Sequence, residues 1–201
     1  DLTHQDAVDA LFESEACPRN SRRRNVRFRN IIIRGNRNLG GSIGIIINDP
    51  DCYAVDTRDV LFRFNQYAGS SQLSSVNRLV NVSLIRNRLI GSRRKEPMIT
   101  TPSLSSTTMS GLSAEDNDGT LLRIRGGQIN ISDSFFFRNR GYIKGAIVAS
   151  SANISISTSV FDSNSCLKYG AAAYLSHQSN MTLFSVRFVN NSAWFGGALF
   201  L

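Results

Sequence analysis

The chain is 201 residues long, with 23 lysines and arginines against 15 acids and a formal net charge of +8. That length bounds it to one domain. Its three scattered cysteines (Cys17, Cys52, Cys166) are too few for a disulfide framework and leave room for one Cys17–Cys52 bridge with Cys166 free. No apolar run is long enough to cross a bilayer as a helix, and no metal-ligand spacing is present.

Thr3 is placed to cap a helix from about Gln5 to Ala16, with Ala7, Val8, Leu11 and Phe12 on one face. Asp6 and Asp9 sit near its positive end. Residues 1–18 are therefore read as a short amphipathic cap. A basic segment from Arg19 to Arg37 follows. Its Arg22, Arg23, Arg24, Arg27 and Arg29 are candidates for binding an acidic ligand, because guanidinium is a planar, permanently charged fork. Arg27 and Arg29 flank Phe28 and are expected to point outward. Nucleic acid is disfavoured as a partner, since stacking aromatics are missing from that face.

From about residue 19 onward one phrase recurs, an apolar residue followed three positions later by Asn. It reads Ile33-Arg34-Gly35-Asn36, Phe62-Arg63-Phe64-Asn65 and Leu84-Ile85-Arg86-Asn87 in the first half. In the second half it reads Phe136-Phe137-Arg138-Asn139, Phe161-Asp162-Ser163-Asn164 and Phe188-Val189-Asn190-Asn191. In the second half a glycine follows each Asn by six residues: Gly145, Gly170 and Gly197. A repeat of about 25 residues with fixed apolar, Asn and Gly positions is the mark of a stacked solenoid.

Before each Phe the residues alternate, as in Ile129 and Ile131 around Asn130, or Ile154 and Ile156 around Ser155. Period two and β-branched content mean strand. One such coil buries too little by itself, and stacking makes a continuous core. The expected fold is therefore an all-β parallel β-helix of about six to seven coils over residues 19–201. Phe136, Phe161 and Phe188 fill its core, Asn139, Asn164 and Asn191 bond along its corners, and the glycines turn tight corners.

The interval between Asn87 and Asn139 is double the usual step. Gly119-Thr120-Leu121-Leu122 is read as a Gly-led strand, and about 91–118, rich in Ser and Thr and carrying Pro97 and Pro102, as an insertion. At the other end the chain stops inside the Gly-Gly-Ala-Leu strand, where an open apolar edge invites further coils beyond Leu201.

Five N-x-Ser/Thr sequons occur, at Asn81, Asn130, Asn153, Asn180 and Asn190. The first four precede inward apolar residues and are expected to face solvent as glycosylation candidates. Catalysis has little support. Stacked coils align equivalent positions, yet Asp133 and Asp162 sit at different points of the phrase and do not stack. Asp49, Asp51, Asp56 and Asp59 are read as turn acids rather than Ca²⁺ ligands. His4 and His177 are isolated.

The pair Phe188-Val189-Asn190-Asn191 and Gly196-Gly197-Ala198-Leu199 resembles the Phe-x-x-Asn and Gly-Gly-Ala-Ile/Leu tetrapeptides of the polymorphic outer membrane protein repeat family. Lys144-Gly145-Ala146-Ile147 and Tyr169-Gly170-Ala171-Ala172 keep only the second Gly and the Ala. The resemblance covers residues 126–201 and, more loosely, 25–125. It implies a right-handed parallel β-helix of the pectin-lyase-like kind. In bacteria it implies surface adhesins exported as autotransporter passengers; similar repeats occur in large secreted or membrane-attached proteins of algae and protists.

The functional expectation is a non-enzymatic extracellular or cell-surface region of a larger glycoprotein, acting in adhesion or in matrix and surface assembly. The alternatives are a polysaccharide lyase or glycoside hydrolase acting on an acidic glycan, and a structural subunit of an extracellular filament. Expected partners are surface or matrix proteins, acidic glycans, or further coils and copies stacking end to end. No cofactor is expected.

Overall fold

The computed structural model describes residues 12–13, 24–38, 45–46, 53–67, 73, 76–90, 97–101 and 106–201. Every strand pairing among them is parallel, and the chain winds through a β-solenoid of about six turns. The strands stack into three faces, the first two joined through the long strands into one eleven-stranded sheet. The first face runs through the N-terminal parts of Arg24–Arg34, Tyr53–Arg63 and Arg78–Ile85. It continues through Ser106–Ser110, Gln128–Ser132, Asn153–Ser157 and Asn180–Phe184. The C-terminal parts of the three long strands continue into a second face of Ser113–Glu115, Phe135–Phe137, Val160–Asp162 and Arg187–Val189. A third face stacks Ile99–Thr100, Leu122–Arg125, Ile147–Ser150, Ala173–Ser176 and Leu199–Phe200.

The alternating residues divide as their period requires. Ile129, Ile131, Ile154 and Ile156 are buried, whereas Asn130, Asn153 and Ser155 between and beside them are exposed. The core is a set of columns parallel to the solenoid axis. One runs Ile33, Phe62, Leu84, Ala114, Phe136, Phe161 and Phe188, each paired with the next. In its upper part the rings stack face to face, 4.4 Å apart between Phe136 and Phe161 and 5.3 Å between Phe161 and Phe188.

Beside this column runs a ladder of seven asparagines: Asn36, Asn65, Asn87, Asn117, Asn139, Asn164 and Asn191. Each side-chain amide donates to the next coil's Oδ1 at 2.9–3.1 Å. Each backbone N–H donates to the same oxygen at 2.9–3.1 Å. The second amide hydrogen reaches back to the carbonyl of the preceding coil's core residue, from Ile33 to Phe161, at 2.7–3.0 Å. From Asn65 to Asn164 these polar side chains are buried, and the double donation and double acceptance satisfy them without water.

The residue before each ladder asparagine is left-handed: Gly35, Phe64, Arg86, Asp116, Arg138, Ser163 and Asn190 have φ between 49° and 70°. Such a conformation costs a non-glycine residue about 1–2 kcal/mol. The bend also keeps the interstrand ladder running, since each of these N–H groups, through Ser163, bonds the next coil's carbonyl.

The stretch expected to be an insertion at about 91–118 is different in the structure. Ser106–Ser110 and Ser113–Glu115 are strands of the first two faces, and Asn117 is a full rung of the ladder. Between them and Ile90, Met98 and Ile99 are buried, and Ile99–Thr100 pairs with Leu122–Arg123 on the third face. The phrase here is Ala114-Glu115-Asp116-Asn117, with alanine in the core position. That alanine lies between Leu84 and Phe136 in the column and is fully buried.

The glycines also align differently from their sequence spacing. Lys144 pairs with Tyr169 and then Phe195, but Ile147 pairs with Ala173 and then Leu199. One extra residue therefore lies between these pairs in the later two coils. Gly170 thus matches Gly196, both left-handed at 50° and 57°, while Gly197 matches Ala171. A Cβ on Gly145 would overlap the carbonyl oxygens of Gly170 and Ala171, so the bulge itself demands glycine there.

The N-terminal helix expected over 5–16 lies outside the described residues except at Phe12 and Glu13. Those two are a short strand paired with Ile45–Ile46, so pairing with a β-branched partner outweighs helical spacing at these positions.

Candidate ligand-facing surface

Because the repeated residues point inward or bond one another, chemistry directed at a partner must come from the outward columns. On the first face these columns are uncharged from the fourth coil on. Ser106, Gln128, Asn153 and Asn180 form one; Thr108, Asn130, Ser155 and Thr182 a second; Ser110, Ser132 and Ser157 a third. Parallel strands about 4.8 Å apart give each column that repeat. Three of the five sequons lie here. Asn180 Nδ2 donates to Asn153 Oδ1 at 3.0 Å, so the two sequon amides are already joined across neighbouring coils. Asn81 and Asn190 occupy left-handed corners, at 52° and 49°, and both are exposed. Asn81 donates to Asp59 Oδ1 at 3.1 Å.

The same faces are strongly basic in the first three coils. Segments 24–38, 53–67 and 76–90 carry five, two and three arginines respectively, no lysine, and Asp56 and Asp59 as their only acids. Arg27 and Arg29 are exposed on the first face, in register with Asp56 and Arg58, as their positions beside Phe28 led us to expect. Arg22 and Arg23 lie outside the described residues, and Arg24 is placed only as backbone in its strand. Around the asparagine corner, Arg34 stacks on Arg63, and Arg37 stands just past Asn36. The Arg63 guanidinium lies over the Phe64 ring at 4.7 Å, with Arg86 over the same ring at 5.8 Å. Arg63 Nε is sealed from solvent with no hydrogen-bond partner.

The fourth coil reverses the sign. Glu115, Asp116 and Asp118 form an acidic rung between arginine rungs. Asp116 faces Arg86 at 3.6 Å on one side and takes a forked pair from Arg138 on the other, at 2.8 and 2.9 Å. Glu115 accepts from Arg138 at 3.3 Å, and Asp118 faces Arg88 at 3.6 Å. This grouping was not evident in the sequence, because its members belong to different coils. The signal was an Arg within two residues of each of the first three ladder asparagines.

The aspartates from Asp49 to Asp59 do not gather where they can be seen. Asp49 and Asp51 lie outside the described residues, Asp56 pairs with Arg58 at 3.2 Å, and Asp59 turns a left-handed corner at 52°. Among the described residues no three His, Cys, Asp or Glu side chains converge to hold a metal ion. The described residues hold no helix long and apolar enough to cross a membrane. His177 is exposed at a corner on its own coil, and His4 and the Cys17–Cys52 pair lie outside the described residues.

The third face carries an aromatic strip. Tyr174 stacks with Phe200 at 5.6 Å and Tyr169 with Phe195 at 5.6 Å, and Lys144 lies 4.0 Å over the Tyr174 ring. Partial burial, and then the charge of Arg123, hold the Lys144 amine below its ordinary range. Burial pushes the Cys166 thiol up, partly offset by backbone bonds at Lys168 and Tyr169.

No protein-family model matches the chain, and neither a curated protein nor a solved structure does. The fold defines its class as a parallel β-solenoid.

Proposed function

We propose that this chain is a non-enzymatic extracellular or cell-surface stretch of right-handed parallel β-helix. It belongs to a larger glycoprotein related to the polymorphic outer membrane protein repeats, and it serves adhesion or the assembly of a surface or matrix. The observation that carries the reading is the exposure of all five sequon asparagines, three on one uncharged sheet face, while the ladder asparagines are sequestered. Columns of hydroxyls and amides at strand spacing offer repeated, similar contacts rather than one concave site, which suits surface attachment.

The non-catalytic part draws support from the acids. Asp56, Glu115, Asp116 and Asp118 each hold a guanidinium and Asp59 an amide, contacts that take up carboxylates a glycosidase would leave free for its substrate. Beads coated with the chain should attach to cells or matrix of the native source above the level of an unrelated β-protein. Equal attachment by both would remove the reading.

A further inference from the structure

The geometry points to an anionic polysaccharide, bearing sulfate or carboxylate groups, as the ligand of the Arg34–Arg37–Arg63 corner and of the arginine columns that flank it. This rests on the extracellular reading above and names the ligand class.

Four observations carry it. First, the charge is one-sided: ten arginines and two aspartates occupy the described parts of the first three coils. Second, the acids of the described neighbouring coils are already engaged: those of the fourth coil hold Arg86, Arg88 and Arg138, and Asp56 holds Arg58. Arg34, Arg37 and Arg63 have no acidic partner among the described residues. Third, the cations pair across the first two coils. Arg34 lies over Arg63 on one column and Arg29 over Arg58 on another, each pair about 4.8 Å apart, with Ile85 and Val80 at the next rung and Asp56 bonded to Arg58. A single small anion spans one such pair, whereas a polymer with charge along its length reaches both columns and Arg37 beside them. Fourth, Arg63 is held against Phe64 rather than by a carboxylate, and a held guanidinium loses less freedom on binding an anion.

The same ring argues against nucleic acid. Both Arg63 and Arg86 lie over Phe64, so the aromatic ring nearest these arginines is already engaged and offers little face for a base.

The test is binding of the purified chain to four immobilised probes: a sulfated galactan, polygalacturonate, a neutral glucan and a DNA duplex. The chain should bind the sulfated or the uronate polymer, and which of the two identifies the anion. It should bind the neutral glucan negligibly and the DNA duplex more weakly. Affinity should fall about tenfold or more between 50 and 200 mM salt. The exposed pair Arg34→Gln/Arg37→Gln should lose about tenfold or more with its melting temperature unchanged. Arg34→Lys/Arg37→Lys should recover only part of that, because lysine keeps charge without the fork.

Unchanged affinity in the glutamine pair, full recovery by the lysine pair, or tighter binding to DNA would each overturn the proposal. Bead attachment measured in parallel separates the two ideas. Attachment without polysaccharide binding sinks this proposal alone, and loss of attachment by the unaltered chain sinks the reading beneath it.

Discussion

Asn164 shows how one residue type holds both the corner and the stack. Its Oδ1 accepts from Asn191's counterpart on the other side, the N–H and Nδ2 of Asn139, while its own Nδ2 donates to Asn191 Oδ1 and to the Phe136 carbonyl. Asn164→Ala would leave two donors of Asn139 and the Phe136 carbonyl without these partners. Buried groups left unpaired cost about 1–3 kcal/mol each. The variant should therefore lose at least about 3 kcal/mol in denaturant unfolding. A loss below 1 kcal/mol would mean the ladder is ornamental.

Cys166 offers a pH-dependent check at the same scale. Its pKa is raised by burial, so the folded state favours the thiol. A raised folded-state value means its contribution to stability is complete below the unfolded thiol's pKa and is lost as pH rises through the folded one. Alkylation of Cys166 at neutral pH should be slower than that of an unstructured thiol, and it should accelerate only above the ordinary thiol range. Equal rates at neutral pH would contradict the burial.

Among the elements, the fourth coil is where sequence and structure part most clearly. The six copies with Ile, Leu or Phe in the core position were legible, because a large apolar residue three before Asn is unmistakable. Ala114 hid the seventh. Alanine carries no periodic signal, yet in the stack it needs only to sit between Leu84 and Phe136. The extra residue in the two coils that follow Gly145 was hidden for a different reason. Glycine spacing in sequence records where turns occur, whereas pairing records which residues meet.

That fourth coil also sets its place in the stack by charge. Asp116 stands between Arg86 and Arg138, about a quarter exposed, so screening keeps its worth modest. Asp116→Asn retains a residue that tolerates the left-handed bend and removes only the charge. It should lower stability by about 1 kcal/mol in dilute buffer, with most of the difference gone at molar salt. A difference that salt does not reduce would assign the effect to packing.

Across the whole molecule, scaffold and surface are separate sets of residues. The inward columns and the asparagine ladder repeat because each coil must fit the next. The outward columns change along the axis, from arginine in the first three coils to an acidic rung in the fourth, and to neutral hydroxyls and amides on the first face beyond it. The scaffold was readable in the sequence because stacking forces its repetition. The outward grouping was not, since it joins residues some 22–30 positions apart that only the coil spacing brings together.

The central proposal is of an extracellular glycoprotein scaffold whose outward asparagines meet the environment while its ladder asparagines do not. Glycopeptide mapping of the protein from its native source tests this most directly. The account predicts glycan on at least one of Asn130, Asn153 and Asn180, and none on Asn65, Asn87, Asn117, Asn139 or Asn164. Unmodified asparagine at all five sequons would contradict it.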